Sequence, residues 1–152
     1  MKRRARHGAP APNAPLLPQG DGLGWPPGMA QGARRMLRFS NFLFPESRDP
    51  AQDSRVIDES LAEARLCDAL GVEVLWLAEH HFDGNCAYVD PVTFAAAVAA
   101  TTTRIRVGFA VAQVSLHHPV RLAEQMSLLD NIAHGRLIVG LGRGTAYNVY
   151  EY

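Results

Sequence analysis

Residues 105–144 read IRVGFAVAQVSLHHPVRLAEQMSLLDNIAHGRLIVGLGRG. Ile105–Val111 is an apolar, β-branched run of strand length, and Leu137–Leu141 is a second one. Between them Pro119 opens a helix, Leu122, Met126, Leu129 and Ala133 recur on one face of it, and Gly135 closes it. Two strands joined through a helix pair in parallel, with a right-handed crossover.

The same alternation extends toward the N-terminus. Val72–Leu77 is a strand, and Asp90-Pro91 places a capping carboxylate and a first-turn proline at the head of a helix through about Ala100. Asp53–Leu70 is helical, with Ile57, Leu61, Ala64, Cys67 and Leu70 as its inward stripe and Gly71 just past its end. Leu37–Leu43 is a strand that stops at Pro45. The order β-α-β-α-β-α-β defines an α/β protein, built either as an open doubly wound sheet or as a (β/α) barrel. A complete eight-fold barrel takes about 250 residues. On the barrel reading, the chain corresponds to the N-terminal half of a (β/α)8 TIM barrel.

Composition divides the 152 residues near Met36. Residues 1–35 hold six of the ten prolines, six of the thirteen glycines, six basic groups and one acid. Such a segment buries too little apolar surface to offset its ordering entropy, so it is expected to be a disordered extension, with Met36 as an alternative first residue. Residues 36–152 form the domain, with nine arginines, no lysine and fourteen acids. The whole chain balances 15 basic against 15 acidic groups, which argues against nucleic acid as a partner. Arg3-Arg4 is followed by no apolar export segment, and no stretch approaches the roughly 20 apolar residues of a membrane span. A cytoplasmic protein without membrane contact is expected.

In both architectures ligands bind at the C-terminal ends of the strands. The second strand runs into Glu79-His80-His81, a carboxylate and two imidazoles suited to proton transfer. Alternation along the chain allows at most one of these histidines to face a given pocket. The third strand leads into Ala110-Val111-Ala112-Gln113, where small residues admit a flat ligand or simply pack, and then into Leu116-His117-His118, where His118 fills the turn before Pro119. The fourth ends in Gly140-Leu141-Gly142-Arg143-Gly144, which offers backbone N–H groups and a cationic fork to an anion or else tethers the loop. Cys67 reads as a core residue. Cys86, with His81 and Asp83, has no recognised ligand spacing, so no metal site is expected. The alanine-rich helix Phe94–Ala100 permits close approach of another backbone, either the barrel or a second subunit.

Three stretches together resemble the bacterial luciferase-like flavin monooxygenases: Leu75–Phe82, His118–Gln125 with Leu128–Asp130, and Gly135–Gly144. The likeness runs from about Met36 to Glu151. It implies a (β/α)8 barrel, reduced FMN at the C-terminal face, O2 and a small organic molecule as substrates, and a flavin reductase that supplies the reduced cofactor. It also implies a homo-oligomer, with the alanine-rich helix at the interface. The resemblance maps a catalytic proton-transfer role onto His80, a non-prolyl cis peptide under the flavin ring onto Ala110 and Val111, and the phosphate contact onto Arg143. Two positions depart from luciferase: Val111, where that enzyme has alanine, and Gly142, where it has a reactive cysteine. The alternatives are a deazaflavin-dependent oxidoreductase of the same barrel superfamily, which transfers hydride, and a non-catalytic half-barrel fragment.

Overall fold

The computed structural model describes residues 37–81 and 84–144. Within them lie strands β1 (Ser40–Leu43), β2 (Val74–Leu77), β3 (Arg106–Gln113) and β4 (Leu137–Gly142). They alternate with helices α1 (Asp53–Leu70), α2 (Pro91–Thr101) and α3 (Pro119–Ile132). The strands form one parallel sheet in the order β1-β2-β3-β4, as in consecutive units of a (β/α) barrel. A doubly wound sheet reverses its strand order at a switch point, and this sheet has none. The expectations for residues 1–35, Asp83 and the segment after Gly144 lie outside the described residues.

The core lies between the sheet and its helices. Leu43, Leu75, Leu77, Val107 and Phe109 project from one sheet face onto Ala64, Cys67, Val92, Ala95, Val98, Leu122 and Leu129 of the helices. Paired residues on parallel strands share a face, so Phe42, Trp76, Gly108 and Ile138 line the opposite, inner face. There the Trp76 ring lies over Gly108. A Cβ added at Gly108 would stand 2.5 Å from ring carbons, so this register position admits only glycine beside that tryptophan.

The local signals act as read at most element ends. The Asp90 carboxylate accepts from the Val92 N–H at 2.9 Å and caps α2 above Pro91. Gly71 takes the left-handed conformation, and its N–H and that of Val72 bond back to Asp68 and Cys67. That cap occupies residues 71 and 72, so β2 begins at Val74 and not at Val72. Strand β1 likewise starts at Ser40, after the exposed Leu37 and Phe39. In α1 the stripe fails at its last member, because Leu70 is 72% exposed. The steps Leu61-Ala64-Cys67-Leu70 are each three residues, about 60° short of a full turn, so Leu70 ends up on the side of the helix opposite Leu61.

Two polar clamps tie down the N-terminal ends of the strands. Asp68, in the last turn of α1, accepts backbone N–H bonds from Arg104 at 2.8 Å, Ile105 at 2.6 Å and Thr103 at 3.0 Å, together with the Thr103 hydroxyl. This fixes the entry to β3. Arg136, just before β4, donates to the Ile105 carbonyl at 2.7 Å and to the Ala99 and Thr102 carbonyls at 2.9 and 3.1 Å. Its fork satisfies the carbonyls left open at the end of α2 and joins them to the start of β4.

Candidate active site

The C-terminal ends of β2, β3 and β4 meet through side chains. Beyond β2, Glu79 is buried, with a side chain only 1% exposed. Its Oε1 lies 2.7 Å from Nε2 of His81 and 3.0 Å from Nε2 of His117, and its Oε2 accepts the Gln113 N–H at 2.6 Å. The Gln113 side-chain amide donates to the Glu79 carbonyl, also at 2.6 Å. An ionised carboxylate only accepts, so Glu79 in that form draws Nε2–H of both rings toward the same oxygen. One buried carboxylate therefore orients two imidazoles from different loops.

The two consecutive histidines part, as alternation requires. His81 turns to Glu79, whereas the half-buried His80 packs edge-on against Phe44, with ring centroids 4.6 Å apart. Phe44 comes from the loop after β1, so His80 sits between the ends of β1 and β2. That loop pairs with the one after β2: the Ser47 N–H bonds to the Asn85 carbonyl, the Ala87 N–H to that of Pro45, and Glu46 bridges Cys86. Cys86 donates its thiol hydrogen to the Tyr88 carbonyl, and neither cysteine is in a disulfide.

Strand β3 continues two residues beyond Val111 and carries an irregularity there. Phe109 pairs with Val139, but Ala112 pairs with Leu141, so β3 holds one extra residue across this step. The peptide bond between Ala110 and Val111 is cis. Strand β4 meets this irregular stretch with a comb of alternate glycines. A Cβ at Gly140 would run into the Phe109 carbonyl, one at Gly142 into the Val111 side chain, and one at Gly144 into the Gln113 side chain. The Gly-x-Gly-x-Gly run therefore receives the neighbouring strand, and its glycines are explained before any anion is invoked.

Arg143 stands in this comb with its side chain exposed. Its carbonyl accepts the Ser115 hydroxyl at 2.7 Å, and among the described residues its guanidinium has no acidic partner. An exposed guanidinium in a loop pinned at its backbone suits a phosphate group, and the exposed Ala110 offers a small surface for a flat ring. The residues present are of the kind a flavin nucleotide needs, a cation for a phosphate and a small surface for a flat ring. Sequence reasoning missed the organising role of Glu79 and the part played by Gln113 and His117. The available signal was Gln113 itself, a polar residue ending the apolar run Val107–Ala112, with His117 four residues further on.

The sequence model described as luciferase-like monooxygenase matches residues 37–151. The chain belongs to that family. Among its relatives, limonene 1,2-monooxygenase of Rhodococcus erythropolis is 37% identical over 106 residues, which span 70% of this chain and 27% of that protein. The solved monooxygenase RslO1 of Streptomyces bottropensis superposes with a TM-score of 0.69 at 36% identity, over 76% of this chain and 36% of the other. The oxygenating constituent of 3,6-diketocamphane monooxygenase from Pseudomonas putida, solved with FMN, has the same fold, with a TM-score of 0.69 at 24% identity over 76% of this chain and 32% of that one. So has the coenzyme F420-dependent tetrahydromethanopterin reductase of Methanopyrus kandleri, with a TM-score of 0.53 at 24% identity over 75% and 29%. The chain thus spans roughly a third of the length of these luciferase-like relatives, and its four strands and three helices match part of their fold. No described helix is long and apolar enough to cross a membrane.

Proposed function

We propose that this chain supplies part of the active site of a flavin-dependent monooxygenase that uses reduced FMN and O2 to oxidise a small organic molecule. The observation that carries the reading is the meeting of Glu79, His81 and His117 at the strand ends, in a chain of the luciferase-like family. Bound reduced FMN supplies the electrons for activating O2. Arg143 holds its phosphate, Ala110 and Val111 support its ring, and the neighbouring loops exclude water. His80 moves a proton at the reacting centre, and Phe44 holds its ring in place.

The same reading brings a flavin reductase as the source of reduced cofactor, assembly with further copies of the chain, and a cytoplasmic setting. A deazaflavin coenzyme is the second reading, supported by a likeness of fold to a coenzyme F420-dependent reductase. Titration of the full chain with FMN and with a deazaflavin, followed by fluorescence quenching, separates the two. Preference for FMN is expected; preference for the deazaflavin overturns the monooxygenase reading. In a protein that turns over, His80→Asn is expected to keep flavin affinity and to lower substrate-dependent oxygen consumption by about 10²–10⁴-fold, the usual worth of a positioned acid or base. A wild-type rate in that variant removes His80 from the mechanism.

A further inference from the structure

The comb of glycines along β4 and just past its end is not uniform. A Cβ at Gly140 meets a backbone carbonyl, and one at Gly144 meets the end of a long amide side chain, but one at Gly142 meets the branched side chain of Val111. The distances there are 2.6 Å to Cγ2, 3.1 Å to Cβ and 3.3 Å to Cγ1. Valine is stiff at χ1, and all three of these atoms crowd the same point, so rotating the side chain replaces one clash with another. Moving β4 away is no easier, because β3 and β4 are paired on both sides of the step, at Phe109 with Val139 and at Gln113 with Gly142.

We propose that Val111 and Gly142 are a size-matched pair that shapes the floor of the flavin site. The valine of β3 fills the space from which a side chain at position 142 is excluded. Position 142 then presents only backbone, and the surface on this side consists of valine methyl groups. Val111 is 36% exposed, so those methyls remain available for contact with a ligand. The two positions are therefore coupled: a side chain is accommodated at 142 only when the residue at 111 is smaller. The consequence for the ligand rests on the proposed flavin function, whereas the pairing itself is a property of the sheet.

A double-mutant cycle on the full chain tests it, with Val111→Ala, Gly142→Ala and the double variant compared with wild type. Without flavin, Gly142→Ala is expected to lower the thermal midpoint by roughly 5–10 °C, as an overpacked site would, and Val111→Ala by less. The double variant is expected to melt above Gly142→Ala. Losses that simply add overturn the pairing. If Gly142→Ala is insoluble, recovery of soluble protein in the double variant supports the pair, and failure to recover overturns it. In FMN titrations Gly142→Ala is expected to bind about tenfold more weakly than wild type, with most of that loss regained in the double variant. Equal FMN affinity in Gly142→Ala and wild type removes the pair from the ligand site. A wild-type chain that binds no flavin overturns the functional proposal instead, and the melting cycle still decides the pairing.

Discussion

Glu79 and Gln113 hold each other twice: the Gln113 N–H donates to the Glu79 carboxylate, and the Gln113 amide donates to the Glu79 carbonyl, both at 2.6 Å. The two residues lie just past β2 and at the end of β3, so this reciprocal pair sets the spacing of the two loops that carry the histidines. Because the carboxylate also receives His81 and His117, one residue sets the loop spacing and the orientation of both rings.

Glu79→Gln is nearly isosteric but puts an NH2 group where one of the carboxylate oxygens accepts. Whichever way the amide turns, it faces a donor from Gln113 or from the imidazoles. A loss of about 1–3 kcal/mol in unfolding free energy is expected from the resulting unsatisfied buried donor. Chemical denaturation measures it. An unchanged midpoint would show that the network contributes nothing.

Arg143→Ala separates phosphate recognition from ring recognition. The variant is expected to bind FMN about 10–100-fold more weakly, the worth of a charge-assisted contact, and to bind riboflavin as wild type does. Equal losses for both ligands would show that the arginine acts through the loop and not on the phosphate.

Asp68 makes stability depend on acid. Partial burial raises its carboxyl, but N–H bonds from Ile105, Thr103 and Arg104 outweigh that and hold it down to about 2, against 3.8 for a free side chain. Its folded value is depressed, so its contribution is present above about pH 4 and is lost as the pH falls toward 2. Melting curves of wild type and Asp68→Asn are expected to differ most at neutral pH and to converge near pH 2. A difference that stays constant across this range would count against the assignment.

Arg136→Ala removes the fork that satisfies the Ala99, Thr102 and Ile105 carbonyls. A cost of about 2–4 kcal/mol is expected for several carbonyls losing their partner at once. Arg136→Lys is expected to recover little of it, because a single ammonium does not reproduce the planar fork. Full rescue by lysine would show that charge alone is needed there.

Much of the fold was legible because it rests on local signals. The proline and aspartate at the head of α2, the glycine after α1 and the apolar runs of the strands each act over a few residues, and each appears where its chemistry requires. Leu70 shows the limit: a stripe read from spacing alone accumulates angular error, and the last residue leaves the core. The site was legible only in outline. Glu79-His80-His81 announced itself as a cluster, but its division between Phe44 on one side and His117 on the other depends on loops more than thirty residues apart in the chain. The glycine run was read for what it offers a ligand, and the structure gives it a prior duty toward β3 that no single segment reveals.

The clamps made by Asp68 and Arg136 lie at the opposite end of the strands from the histidines and the glycine comb. The hydrogen bonds that Asp68 and Arg136 make there go to residues 99–105, away from the residues proposed to meet the cofactor. Substitutions at positions 80 and 143 therefore explore new chemistry against a fixed foundation, and a library randomised at those positions should return mostly folded proteins. The division gives the domain a structural base separate from an adaptable rim, so that changes in chemistry at the rim need not solve the folding problem again.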